Sequence, residues 1–164
     1  IARKKFKEIF NKDPLDLKNP ELSNEWRQFR LNAITSLVNE IVDIAHSKNK
    51  KVSAAVFPFP EMSRQMVRQA WNDWNLDSAY PMLYNNFYRE NINWIGFATK
   101  QGVSDVDFPI HSGLYSGALK NPGDFEKAYN ISKENGASGI SIFTADGLND
   151  EQKSFLVKLK NSKQ

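Results

Sequence analysis

The stretch Lys51-Val-Ser-Ala-Ala-Val-Phe57, halted by Pro58 and Pro60, is a short apolar run that reads as a buried strand. It follows residues 23–49, where Leu31, Ile34, Leu37, Val38, Ile41, Val42 and Ala45 recur at the spacing of an amphipathic helix. The alternation then repeats. A helix is predicted over 62–73, with Met66, Val67, Ala70 and Trp71 on one face, leading to a second strand at Ser78-Ala-Tyr-Pro-Met-Leu-Tyr84. Pro81 is awkward there, because it has no N–H for a central ladder. A third helix over 87–100 turns Phe87, Asn91, Trp94, Ile95 and Ala98 inward, and a third strand lies over 108–114. A fourth helix follows Asp124, with Phe125, Ala128, Tyr129 and Ile131 apolar. The fourth strand, Gly139-Ile-Ser-Ile-Phe143, leads to Asn149-Asp-Glu-Gln152, a capping-box signature for a last helix that packs Phe155, Leu156 and Leu159.

Strands starting near 52, 78, 108 and 139 repeat at about 30 residues, close to the ~250 residues over eight units of a (β/α)8 barrel. Strands and helices alternating in this way imply parallel βα units. A doubly wound open sheet, as in a flavodoxin-like domain with a ligand at its switch point, would show the same alternation. The expected organisation is one domain over 1–164: a lead-in over 1–22, then a long helix and four strand-helix units over 23–164.

Composition narrows the function. The 164 residues are 40% hydrophobic, enough for one core, and 22 basic against 19 acidic side chains leave a net charge of only +3. That excess is too small and too evenly spread to suggest nucleic acid as a partner, and no apolar run approaches the ~20 residues of a membrane span. There is no cysteine, the two histidines are far apart at 46 and 111, and no Gly-rich phosphate loop is present. No metal and no cofactor are therefore expected. The chain opens at Ile1 without an initiator Met or a signal of its own, so it is expected to be a piece of something longer.

Several motifs stand in order along the chain. Trp26-Arg27-Gln-Phe-Arg30 opens the long helix, Val56-Phe-Pro-Phe59 ends a strand, and Trp71-Asn-Asp-Trp74 closes a helix. Asp77-Ser-Ala-Tyr-Pro81 with Tyr84, and then Gly136-Ala-Ser-Gly139-Ile-Ser-Ile-Phe143, complete the series. Phe6 to Pro14 adds a further partial match, with Asn11 where glycine is usual. Together these resemble the glycosyl-hydrolase-like family 10 domain of secreted bacterial proteins. The resemblance implies an α/β fold of four consecutive parallel βα units, the C-terminal half of a (β/α)8 barrel. It implies glycoside hydrolysis by paired carboxyl groups, with polysaccharide or oligosaccharide as partner and an extracellular or periplasmic location. The family's acidic motif at the end of the fourth barrel strand is absent here, so the upstream half would carry the main acid.

Active sites of such barrels gather where strands end. On that basis Glu61 and Asp146 are the candidate catalytic carboxylates. Each also has an ordinary explanation: Glu61 at a helix start favours the dipole, and Asp146 precedes Gly147 in a turn dipeptide. Phe59, Tyr84, Asn85, Asn86, His111 and Tyr115 are the candidate substrate-binding residues, rings for stacking and polar groups for hydroxyls. Trp71, Trp74 and Trp94 fall on helices and are assigned to packing, and His46 to its place near a helix C-terminus. Arg27 and Arg30 run against the dipole at the start of their helix; solvation, or pairing with acids of the upstream half, would explain them. The alternative function is a saccharide-binding or scaffold module without catalysis. A half barrel would leave two unpaired edges and an apolar face, so association with the upstream half or with itself is expected.

Overall fold

Ser23 decides where the long helix begins: the Trp26 amide donates to its Oγ at 3.2 Å, satisfying one of the free donors of the first turn. In the computed structural model, which describes residues 1–161, this helix is α2 (Asn24–His46). Before it lies α1 (Ala2–Phe10), which buries Phe6 completely. Phe6 sits edge-on to Trp26 at 5.0 Å and to Phe29 at 5.4 Å between ring centroids. The loop after α1 is fixed by Arg3, whose Nε and Nη2 both donate to Asp13 at 2.7 Å. A two-pronged contact of this kind orients as well as attracts.

Four short parallel strands follow: β1 (Ser53–Val56), β2 (Ser78–Pro81), β3 (His111–Tyr115) and β4 (Gly139–Phe143). The remaining helices are α3 (Pro60–Met66), α4 (Trp94–Ser104), α5 (Asp124–Glu134) and α6 (Asp150–Asn161). The last opens with the expected capping box. Asn149 N–H donates to Gln152 Oε1 at 3.0 Å, and Gln152 N–H donates to Asn149 Oδ1 at 2.9 Å. Gln152 is also buried and donates its amide to the Leu119 carbonyl at 2.6 Å, which ties α6 to the loop after β3.

The expected C-terminal half of a (β/α)8 barrel, with four consecutive parallel βα units, is not what the chain forms. Among the described residues there are six α-helices and two small sheets of two strands each, β1 with β2 and β3 with β4. β2 and β3 meet only at isolated bridges, Ala79 with Ile110 and Met82 with Gly113. The cause is legible at one residue. Ala79 N–H donates to the Pro109 carbonyl at 3.1 Å and Leu83 N–H to the Gly113 carbonyl at 2.9 Å. The donor due midway between them is Pro81, which has none, so the ladder fails there.

Helices are also shorter than the periodicity suggests. α3 ends at Met66 because Arg68 adopts φ 63°, and the segment before α4 is a 3-10 turn (Asn85–Tyr88) stopped by Arg89 at φ 59°. Met66 and Phe87, read as inward, are exposed. On α2, Leu31 and Val42 are buried and Ile34 and Val38 pack on the core, whereas Leu37 and Ile41 face outward.

The helices cover one face of the strands. One core cluster joins α2 to β1 and β2 through Val42, Val56, Trp71, Trp74, Leu76, Ala79 and Ile110. The other joins α4 and α5 to β3 and β4 through Ile95, Ala98, Leu114, Phe125 and Ala128, with Ile140 and Ile142 against them. Each fully buried large side chain contributes about 1.5–3 kcal/mol. The alternate strand residues, Ser53, Ala55, Tyr80, His111, Tyr115, Ser141 and Phe143, lie on the opposite face, and Ser53, Ala55 and Phe143 are exposed. Parallel strands are usually covered on both faces. Among the described residues no helix is long and apolar enough to cross a membrane.

Candidate functional site

Because neighbouring strands are parallel and in register, their last residues line up in a row. Tyr115 is the direct partner of Phe143. The Met82–Gly113 bridge, carried two residues further along both strands, brings Tyr84 beside Tyr115. Tyr84 therefore meets Tyr115 at 5.8 Å and Phe143 at 5.7 Å between ring centroids, and Tyr115 meets Phe143 at 6.0 Å. Phe87, from the 3-10 turn just after Tyr84, closes the group at 5.9 Å from Tyr84 and 5.5 Å from Tyr115.

Four rings thus cluster where β2, β3 and β4 end. They are not core residues. Phe87 is 64% exposed and Phe143 52% exposed, which is unusual for large apolar side chains lying side by side. Burial pushes the Tyr84 hydroxyl above its ordinary pKa, and burial followed by the nearness of Tyr84 does the same for Tyr88. Both stay protonated at neutral pH as hydrogen-bond donors. Gly117 makes room for Tyr115: a methyl there would come within 2.6 Å of the Tyr115 hydroxyl oxygen.

The other candidates are distributed less favourably. Asn85 is occupied within its own loop, its Nδ2 donating to the Glu90 carbonyl at 3.0 Å. Asn86 is exposed on the same turn as Phe87. Phe59 is half-buried and packs edge-on to Phe97 at 5.7 Å, as a core residue does. His111 begins β3 rather than ending it, and stacks on Tyr80 at 4.8 Å with planes 12° apart. Four residues of strand separate it from Tyr115, about 13 Å along the chain.

The two carboxylates sit in different surroundings. Glu61 lies in the first turn of α3, accepts from Gln65 Nε2 at 2.9 Å, and borders a cleft of about 150 Å³ with Arg27, Gln28, Leu31 and Arg64. Asp146 lies in the 3-10 turn (Ala145–Gly147) after β4. The Thr144 hydroxyl, then the backbone amides of Asp146 and Gly147, hold its pKa below the ordinary carboxylate value. It is therefore ionised at neutral pH. Glu61 thus follows the first of the four strands and Asp146 the last, and the cleft that Glu61 borders is not lined by Asp146.

Of the six substrate-binding candidates, the structure brings Tyr84 and Tyr115 into the ring cluster and leaves Asn86 at its rim. Phe87 and Phe143, which the sequence reading missed, complete the cluster. Phe143 could have been found from its alternation with Ser141; Phe87 could not, because its segment read as a helix. No group of three or more His, Cys, Asp or Glu able to hold a metal exists among the described residues. A cleft of about 910 Å³ belongs to the α1–α2 pair and is lined by Ile9, Phe10, Phe29 and Ala33 among others. It is an open trough between two helix flanks and contains none of the strand-end residues. Compared with protein-family models, curated proteins and solved structures, the chain matches none of them.

Proposed function

We propose that the chain binds saccharide without cleaving it, using Tyr84, Phe87, Tyr115 and Phe143 as the contact surface. The observation that carries this reading is a four-ring cluster at the strand ends in which Phe87 and Phe143 are exposed and Tyr84 and Tyr115 half-buried. Pyranose rings present C–H groups on their faces and hydroxyls at their edges. Exposed aromatic faces complement the former, and the Tyr84 hydroxyl and Asn86 can serve the latter. The motif resemblance to a glycoside-hydrolase-like family supports carbohydrate as the ligand class and a location outside the cytoplasm. Glu61 and Asp146 follow the first and the last of the four strands, and Asp146 does not line the cleft beside Glu61, which favours binding over hydrolysis by a carboxyl pair.

The test is affinity electrophoresis in gels containing bacterial cell-wall or plant polysaccharides, with a reducing-end assay alongside. Retardation by at least one glycan, lost in Tyr84→Ala, is expected, with no release of reducing ends. If no glycan retards the chain, the reading fails. Release of reducing ends that disappears in Glu61→Gln or Asp146→Asn would replace binding with hydrolysis.

A further inference from the structure

A cleft of about 350 Å³ opens at the N-terminal ends of β1, β2 and β3, lined by Lys51, Ser53, Asp77, Ser78, Tyr80 and His111 among others. Strand register builds it. Ser53 is the direct partner of Ser78, and Ala55 of Tyr80. Tyr80 and His111 stack at 4.8 Å with planes 12° apart. That is the spacing of neighbouring strands, so the two rings stand face to face on β2 and β3. The other face of Tyr80 turns towards β1, where Ala55 offers only a methyl and is itself exposed. Gly139, the partner of His111, leaves room for the pair: a methyl there would come within 2.8 Å of His111 Nδ1. Polar groups surround this ring face without partners of their own. Among the described residues the side chains of Lys51, Ser53, Ser78, Tyr80 and His111 make no hydrogen bond or ion pair. Asp77 accepts from the Val52 amide at 2.6 Å and meets His46 Nε2 at 2.9 Å through Oδ2 alone, which leaves Oδ1 as an acceptor.

We propose that this cleft is a second sugar subsite, and that the ligand is a linear, neutral oligosaccharide lying along the strands from the ring cluster to Tyr80. This rests on the saccharide reading and adds to it the length and direction of the ligand. An open ring face bordered by hydroxyl, ammonium, imidazole and carboxylate groups matches a sugar, whose hydroxyls both donate and accept. A hydrocarbon would strand those groups without partners. One ammonium and one carboxylate face the cleft, so a charged ligand would meet its own sign on one side. Tyr80 precedes Tyr84 by four residues, and His111 precedes Tyr115 by four along β3, so the two ring sites lie about 13 Å apart. Met82, Gly113 and Ser141 lie between them and present neither ring nor charge. A short sugar occupies one site. A longer chain engages both, and its linkage makes the second contact intramolecular.

Isothermal titration calorimetry with cello-, xylo- and chito-oligosaccharides of two, four and six sugars tests it. In the series that binds, the hexamer should bind about tenfold tighter than the dimer. That advantage should disappear in Tyr80→Ala and shrink in Ser53→Ala and Lys51→Gln. Ser53 and Lys51 are exposed, so their variants keep the test open if Tyr80→Ala fails to fold. Tyr80→Phe, which keeps the ring face, should retain most of the advantage. Tyr84→Ala should weaken every length. Equal affinity for dimer and hexamer, with Tyr84→Ala still weakening both, overturns the second subsite and leaves the saccharide reading standing. An advantage of length that survives in Tyr80→Ala, Ser53→Ala and Lys51→Gln places the added sugars elsewhere and overturns it too. If no oligosaccharide of any length binds, the saccharide reading falls and the second subsite with it.

Discussion

Tyr84 and Phe143 stack across the strand ends at 5.7 Å between centroids, with planes 16° apart, although Tyr115 on the intervening strand touches both. Rings from alternate strands can meet only because the strand between them ends with its own ring tilted aside, 46° from Tyr84 and 38° from Phe143. The group behaves as one surface, and that makes its substitutions informative.

Phe143→Ala should cost little stability and much binding. The side chain is half exposed, so the loss should be about 1–2 kcal/mol, chiefly its ring contacts. Urea unfolding measures the first and gel retardation on a bound polysaccharide the second. A collapse of stability with binding intact at low temperature would assign Phe143 to the core instead.

Gly113→Ala probes the seam between the two sheets. An added methyl would come within 2.6 Å of the Pro81 carbonyl oxygen, which is backbone and cannot swing away. The variant should lose about 1–3 kcal/mol by overpacking. Hydrogen exchange should show the Leu83 amide, which bonds to the Gly113 carbonyl, losing protection before the amides of β1.

Trp71 anchors the first core cluster. It is completely buried, and its Nε1–H donates to Ser63 Oγ at 3.0 Å, while Ser63 donates to the Phe59 carbonyl at 2.8 Å. Trp71→Phe, which leaves Ser63 able to keep its own bond, should be tolerated better than Trp71→Ala, at about 3–5 kcal/mol. Ser63→Ala strands the indole N–H and should cost about 1–3 kcal/mol. Chemical denaturation of the three variants gives the order.

The N-terminal helix should be acid-labile. The hydrogen bonds from Arg3, then the Leu15 amide, hold the Asp13 carboxyl at about 2, below its ordinary 3.8. A depressed folded-state pKa means the contribution is complete above the unfolded value and vanishes as pH falls through the folded one. The docking of α1 should therefore weaken between about pH 4 and pH 2. In Arg3→Gln the folded-state pKa of Asp13 moves back towards 3.8, so docking should already be weaker above pH 4 and its change between pH 4 and pH 2 should shrink. Trp26 fluorescence against pH, measured in variants with the other tryptophans replaced, reports it; coincident curves for the two proteins would remove the linkage.

Local chemistry was readable in advance. The Asn149–Gln152 capping box, the start of α2 at Ser23 and the existence and order of four strands follow from side-chain spacing and cap chemistry, which need only neighbours along the chain. Even the warning at Pro81 was present. Its consequence was not, because whether a missing N–H matters depends on what lies opposite it.

Tertiary structure decided the rest. Periodicity reports which residues are apolar but not which apolar residues find a partner, so Phe87 and Leu37 read as inward and lie exposed. It cannot give strand register, and register alone brings Tyr84, Tyr115 and Phe143 together while leaving His111 at the other end of β3. Nor can it measure the distance between Glu61 and Asp146, which depends on which strands are neighbours. The sequence by itself determined the four strands, the long helix α2 and the capped start of α6, and their order; α1, the true helix bounds, burial, register and the break at Pro81 came from the tertiary structure, because those quantities depend on residues distant in the chain.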